Sequence, residues 1–137
     1  MKILHDKKGG VDQYLGALFA MLALIALFVA LSAGMKAVNE YNTLNDFGSE
    51  LAVTAGNAGC CSGDRVEARY NELVKATGLK PDVEYSAEYV DSSKRTVQYG
   101  GTITIKLSCD AKISALGISA SVPLHITKTV ESQQYWK

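Results

Sequence analysis

Residues 14–35 read YLGALFAMLALIALFVALSAGM, 22 consecutive positions without a charge and with one aliphatic hydroxyl, at Ser32. As a helix this run is about 33 Å long, enough to cross the roughly 30 Å hydrocarbon layer of a bilayer. In lipid the backbone has no water to bond, so a lone segment can cross only as a helix, which satisfies its own N–H and C=O groups. That leaves about a hundred residues to fold in water, enough for one small core.

The flanks of the run are asymmetric. Lys2, Lys7 and Lys8, with His5, precede it against the single acid Asp6, whereas Lys36 and Glu40 follow it. The excess of cations on the N-terminal side predicts a cytoplasmic N-terminus and an outer C-terminal domain. Three processing fates compete. The run is longer than the apolar core of a secretory signal, although Ser32, Ala33 and Gly34 are small enough for a signal peptidase. Ala58-Gly59-Cys60 resembles a lipoprotein signal but lies more than twenty residues beyond the run. The third fate is a cut on the cytoplasmic side, at Gly9-Gly10.

Within the span, Gly16, Ala20, Ala23, Ala30, Gly34 and Ala37 recur at about 3.5-residue spacing, interrupted by Leu27. Ala26, Ala30 and Gly34 form a second, overlapping row. Small residues let helix backbones approach closely in lipid, where association depends on dispersion contacts, so this stripe is a candidate packing surface. Beyond the span Val38, Tyr41, Leu44, Gly48, Leu51, Ala52 and Ala55 continue an i, i+3, i+4 pattern through polar sequence. The helix is therefore expected to leave the membrane as a stalk over residues 36–56, with Gly56 and Gly59 ending it.

Residues 57–137 read as an outer α+β domain. Asp64 is the expected N-cap of a second helix, with Glu67 three positions on as a variant capping box. The helix should run over 65–77 on the apolar face Val66, Tyr70, Leu73 and Val74, and stop at Gly78, with Pro81 preventing resumption. Val83, Tyr85, Ala87 and Tyr89 alternate with polar residues, as do residues 102–109 and 118–129, predicting three or four antiparallel strands. Gly100-Gly101 is a bulge or turn, and residues 114–117 are a turn or loop tip. The apolar face of the sheet needs a cover, for which the second helix and the end of the stalk are available. The expected shape is a lollipop: long helix, short helix, meander sheet.

The charges balance, fourteen basic against fourteen acidic side chains, so no global field points to nucleic acid. Cys60, Cys61 and Cys109 lack the paired spacing of zinc sites, and the two histidines, His5 and His125, are far apart, so neither a metal nor a cofactor is expected. With the domain outside the cytoplasm, Cys60 or Cys61 could bridge to Cys109, leaving one thiol over. Catalytic signatures are missing: the chain has no Gly-x-Ser-x-Gly, no His-Glu-x-x-His and no phosphate loop, and only a spatial meeting of His125 with Cys109 would supply a nucleophile and base. Tyr85, Tyr89 and Tyr99 read as sheet packing, and Tyr135 and Trp136 as a cover for one end of the core.

A basic leader ending in glycine (Lys7-Lys8-Gly9-Gly10), an apolar helix over 11–35 that continues into a stalk, and a small sheet domain from Asp64 onward resemble the type IV pilin superfamily. The layout is most similar to the TadE-like pseudopilins of tight-adherence pilus loci. It is similar also to a related, poorly characterised Gram-positive family whose members end in an aromatic pair and lysine, as Tyr135-Trp136-Lys137 does here. The resemblance implies that residues 1–10 form a cytoplasmic leader. A membrane aspartyl prepilin peptidase would cut after Gly9 or Gly10, in the latter case leaving Val11 as the new N-terminus. An assembly platform with its ATPase would then build the subunits into a bundle of N-terminal helices. The sequence departs from the superfamily where pilins carry glutamate five residues after the cut, to neutralise a neighbour's new N-terminus: that position, counted from Gly10, is Leu15, and the nearest carboxylate is Asp12, which either takes the neutralising role in assembly or is a solvated interfacial aspartate.

The function expected from this pattern is that of a pilin-like structural subunit of a surface or secretion filament. Its partners would be further copies of itself or other pilins, and the lipid bilayer. A permanently anchored accessory or binding protein of an envelope machine is the alternative.

Overall fold

The computed structural model of the chain describes residues 6–137, with side chains from Gly10 onward; the leader positions Met1 to His5 lie outside the described residues. The architecture is α+β. Helix α1 (Asp6–Ala58) is followed by helix α2 (Asp64–Thr77) and by strands β1 (Asp82–Ala87), β2 (Thr102–Ala115) and β3 (Ile118–Glu131). The strands form one antiparallel sheet in the order β1-β2-β3.

Helix α1 has 53 residues and carries the span and the stalk without a break. It contains no proline, since the only two are Pro81 and Pro123. It stops at Ala58, where Gly59 takes the left-handed conformation at φ 62°. Helix α2 begins one residue earlier than the pattern predicts. Gly63, not Asp64, occupies the N-cap, and its carbonyl accepts the Glu67 N–H at 3.0 Å with no side-chain cap. Asp64 instead sits in the first turn, where its charge favours the helix dipole. Gly78 ends α2 as expected, at φ 73° with its N–H donating to the Val74 carbonyl.

The sheet extends further than the apolar alternation suggests. Strands β2 and β3 pair over their full 14 residues, from Thr102↔Glu131 to Ala115↔Ile118. Tyr89, expected to continue β1, lies beyond its end. Residues 114–117 resolve into a two-residue turn, Leu116 (φ 51°) and Gly117 (φ 80°), the doubly positive geometry of a type I′ hairpin.

The core lies between one face of the sheet and the distal part of α1. Leu44, Phe47, Leu51, Ala52 and Ala55 of α1 are buried against Ile103, Ile105, Leu107 and Ile126, with Val66 and Leu73 of α2 completing the cluster. Phe47, absent from the stripe read off the sequence, is central, whereas Val38 and Tyr41, which were in it, are exposed. Of the two expected covers, the end of the stalk lies directly on β2 and β3, whereas α2 packs beside α1 and adds Val66 and Leu73 to the same core. Close approach is what Gly48 and Gly56 permit. A Cβ on Gly56 would lie 2.7 Å from Val130 Cγ2 and 3.0 Å from the Glu131 carbonyl oxygen; on Gly48 it would lie 3.1 Å from Leu107 Cδ1.

The C-terminal tail is stitched to the distal end by polar groups. Ser132 is fully buried, and its Oγ donates to the Val97 carbonyl at 2.7 Å. Ser132→Ala therefore leaves that carbonyl short of a donor and should destabilise by about 1–3 kcal/mol. Urea unfolding of the detergent-solubilised chain, followed by Trp136 emission, checks this; a midpoint unchanged from the parent would show that the bond contributes nothing.

Candidate assembly interface

Gly9, Gly10 and Val11 fall inside the first turns of α1, and Val11 and Asp12 are exposed. Leu15, the position at which pilins carry glutamate, is exposed as well. From Val11 to Asn39 nearly every side chain is open to the surroundings: the half-buried positions are Val29, Ala33 and Ala37. These three continue the stripe of Glu40 and Leu44 toward the N-terminus and mark the side of α1 on which the domain lies.

The small residues lie elsewhere. At 100° per residue, the stripe Gly16, Ala20, Ala23, Ala30 and Gly34 is centred roughly a quarter turn away from the line of Val29, Ala33 and Ala37, with Ala26 between the two. All six are exposed. No heavy atom outside the helix lies within 4 Å of a Cβ built on Gly16 or Gly34. The chain's own domain thus leaves the packing stripe bare, whereas Ala37, which the sequence pattern put in that stripe, belongs to the domain side.

All three cysteines are free, so the bridge expected from Cys60 or Cys61 to Cys109 is not formed. The fold explains why. Cys60 and Cys61 follow the end of α1, where Cys60 bridges to Thr96 and the Cys61 N–H donates to the Arg95 carbonyl. Cys109 lies on β2 within reach of the Glu40 charge. Glu40 and Gly59 are about 28 Å apart along α1, and a disulfide needs its Cα atoms within about 7 Å. Burial pushes all three thiols up from their ordinary range, and at Cys109 the negative charge of Glu40 adds to it. A thiol held protonated in this way is a poor nucleophile.

The meeting of Cys109 with His125 is also decided by register. Cys109 is opposite Leu124 and His125 opposite Ser108, so the two side chains project from opposite faces of the sheet. Among the described residues no three His, Cys, Asp or Glu side chains are grouped as metal ligands would be. A cleft beside α2, about 460 Å³, is open and lined by Cys61, Val66, Tyr70, Val83 and Tyr85 among others. Burial pushes the Tyr85 hydroxyl up to about 12, so this side chain behaves as packing rather than as a proton donor near neutrality.

The terminal aromatic pair is tied to the turn that ends α1. The Trp136 indole N–H donates to the Gly59 carbonyl at 3.1 Å, its backbone N–H donates to Gln98 Oε1 at 2.7 Å, and Tyr135 stacks on Tyr99 at 4.6 Å. The tail, the distal loop and the helix end therefore form one unit with α1. The chain matches, over residues 18–137, a family described as a domain of unknown function, DUF4320. It belongs to the DUF4320 family. The DUF4320 match takes in the apolar run from Leu18 onward together with the whole C-terminal domain, so the stretch shared with the family includes the bond between Trp136 and Gly59 as well as the helix beneath it. No curated protein and no solved structure matches the chain.

Proposed function

We propose that this chain is a pilin-like structural subunit that enters a surface or secretion filament through its N-terminal helix, from a membrane position with the N-terminus in the cytoplasm and the domain outside. The observation that carries the reading is the bare small-residue face of α1, about a quarter turn from the side occupied by the chain's own domain. α1 is long and apolar enough to cross a membrane. A tether would need only that length; a helix that packs with its neighbours needs a face on which backbones can approach. The lysines before the span supply the orientation, and the resemblance of Lys7-Lys8-Gly9-Gly10 to a prepilin leader supplies the route of release.

The test is the state of the protein in its native cells. Mass spectrometry of the mature N-terminus should begin at Gly10 or Val11, and the protein should appear in sheared surface filaments. Replacing Gly34 with isoleucine should deplete it from that fraction while leaving it in the membrane. Full-length protein confined to the membrane fraction, in cells whose prepilin peptidase is active, would overturn the reading in favour of a permanently anchored accessory protein.

A further inference from the structure

We infer that the β2–β3 hairpin is a second membrane contact, its apolar tip seated in the lipid headgroup layer on the domain's side of the bilayer; this rests on the reading of α1 as a membrane anchor. The direction of the hairpin follows from where α1 touches the sheet. Gly56 approaches Val130 and Glu131, and Gly48 approaches Leu107 and Lys128. Moving down α1 toward the span therefore moves along the ladder toward the turn at Leu116-Gly117.

Its reach follows from the geometry of strand and helix. From Leu107, which Gly48 touches, to Ala115 a strand descends by up to about 26 Å, whereas Met35, the last residue of the uncharged run, is about 20 Å below Gly48 along α1. To stop short of Met35 the hairpin would have to cross α1 at more than about 40°. Burial shows that it stays close instead. Ala111 is fully buried although it lies outside the main core cluster. β1 ends at the Asp82↔Ser108 pair, and of the two helices it is α1 that lies on β2 and can cover it. Ala37, half-buried one turn before Glu40, lies on that side of the helix.

The tip has the chemistry of that depth. Leu116 and Ile118 are 72% and 74% exposed, and the pairs Ile113↔Ala120 and Ala111↔Val122 continue the apolar face upward from them. Leu116 holds a left-handed turn position at φ 51°, where asparagine or glycine is the ordinary choice. An apolar residue there runs against both backbone preference and water. Lys112, on the opposite face a few residues above the turn, is placed to reach lipid phosphates. The hydrocarbon itself is excluded, because below Ser108 both edges of the hairpin carry unpaired backbone groups that need water. The contact is with headgroups.

The experiment uses the full chain in phosphatidylcholine vesicles with bromine on the upper acyl carbons, against the same vesicles without bromine. The native Trp136 lies at the distal end of the domain and serves as the blank: its emission should be the same in both. Leu116→Trp should lose about half its total emission in brominated vesicles, the share of the added indole, as expected for an aromatic side chain at the interface. Leu24→Trp, in the middle of the span, should be quenched by bromine placed deeper. Quenching of Leu24→Trp without quenching of Leu116→Trp would overturn the tip contact and leave the anchor standing. Absence of quenching in both would overturn the anchor and the tip together. A blue-shifted Leu116→Trp emission indifferent to bromine would also overturn the proposal, assigning the tip to a second protein copy.

Discussion

Replacing Phe47 with alanine should destabilise the C-terminal domain by about 3–5 kcal/mol, the range for emptying a fully buried aromatic site. Phe47 is 1% exposed and sits where α1, α2 and the sheet converge. Its ring meets Tyr70 edge to face at 5.6 Å, and Tyr70 in turn donates its hydroxyl to the Pro81 carbonyl at 2.9 Å. The cavity cannot close easily, because α1 is a rigid helix pinned on one side by Gly48 and Gly56 against β2 and β3. A small domain has little stability in reserve, so a loss of this size approaches the whole of it. Thermal unfolding of the solubilised chain, followed by far-UV circular dichroism and Trp136 emission, should show the sheet and the tail lost together while the apolar part of α1 stays helical. A midpoint within a few degrees of the parent would show that Phe47 is not part of the core.

The second large effect is expected at Gly59. Its φ of 62° is expensive for any residue with a Cβ, by about 1–2 kcal/mol. A Cβ there would lie 2.5 Å from Gln134 Cβ and 3.0 Å from Ser132 Oγ, so Gly59→Ala has to displace the tail as well, adding about 1–3 kcal/mol of overpacking. The tail cannot yield freely, since the Gly59 carbonyl accepts both the Val97 N–H at 2.8 Å and the Trp136 indole N–H at 3.1 Å. The expected result is a stability loss of about 2–5 kcal/mol together with a red shift of Trp136 emission as the indole is released. Gly78→Ala serves as the comparison. That glycine has a similar φ, 73°, but open space around its missing Cβ, so only the conformational part of the penalty should appear. Equal losses at the two positions would show that the packing of the tail on Gly59 has no weight.

What the sequence determined by itself is everything that depends on local periodicity. An uncharged run of 22 residues demands a helix wherever its surroundings are lipid, and the stripe that follows carries the helix into water because its apolar positions keep the same period. The stop at Gly78 was equally legible, since a left-handed turn is a property of the residue itself. The tertiary structure decided what depends on partners. β2 runs six residues past Cys109 through Asp110-Ala111-Lys112-Ile113-Ser114-Ala115, a stretch of mostly weak strand formers held extended by its ladder to β3. Gly48 and Gly56 read as weak points of a helix and prove to be where the sheet comes closest, which no period reveals. The separation of Cys60 and Cys61 from Cys109 is likewise a consequence of the stalk's length, because distance in space is set by the rigid helix between them. The apolar run with which the chain begins its fold is unchanged by any of this; only the folded domain determines which side of that helix is covered and which is left bare.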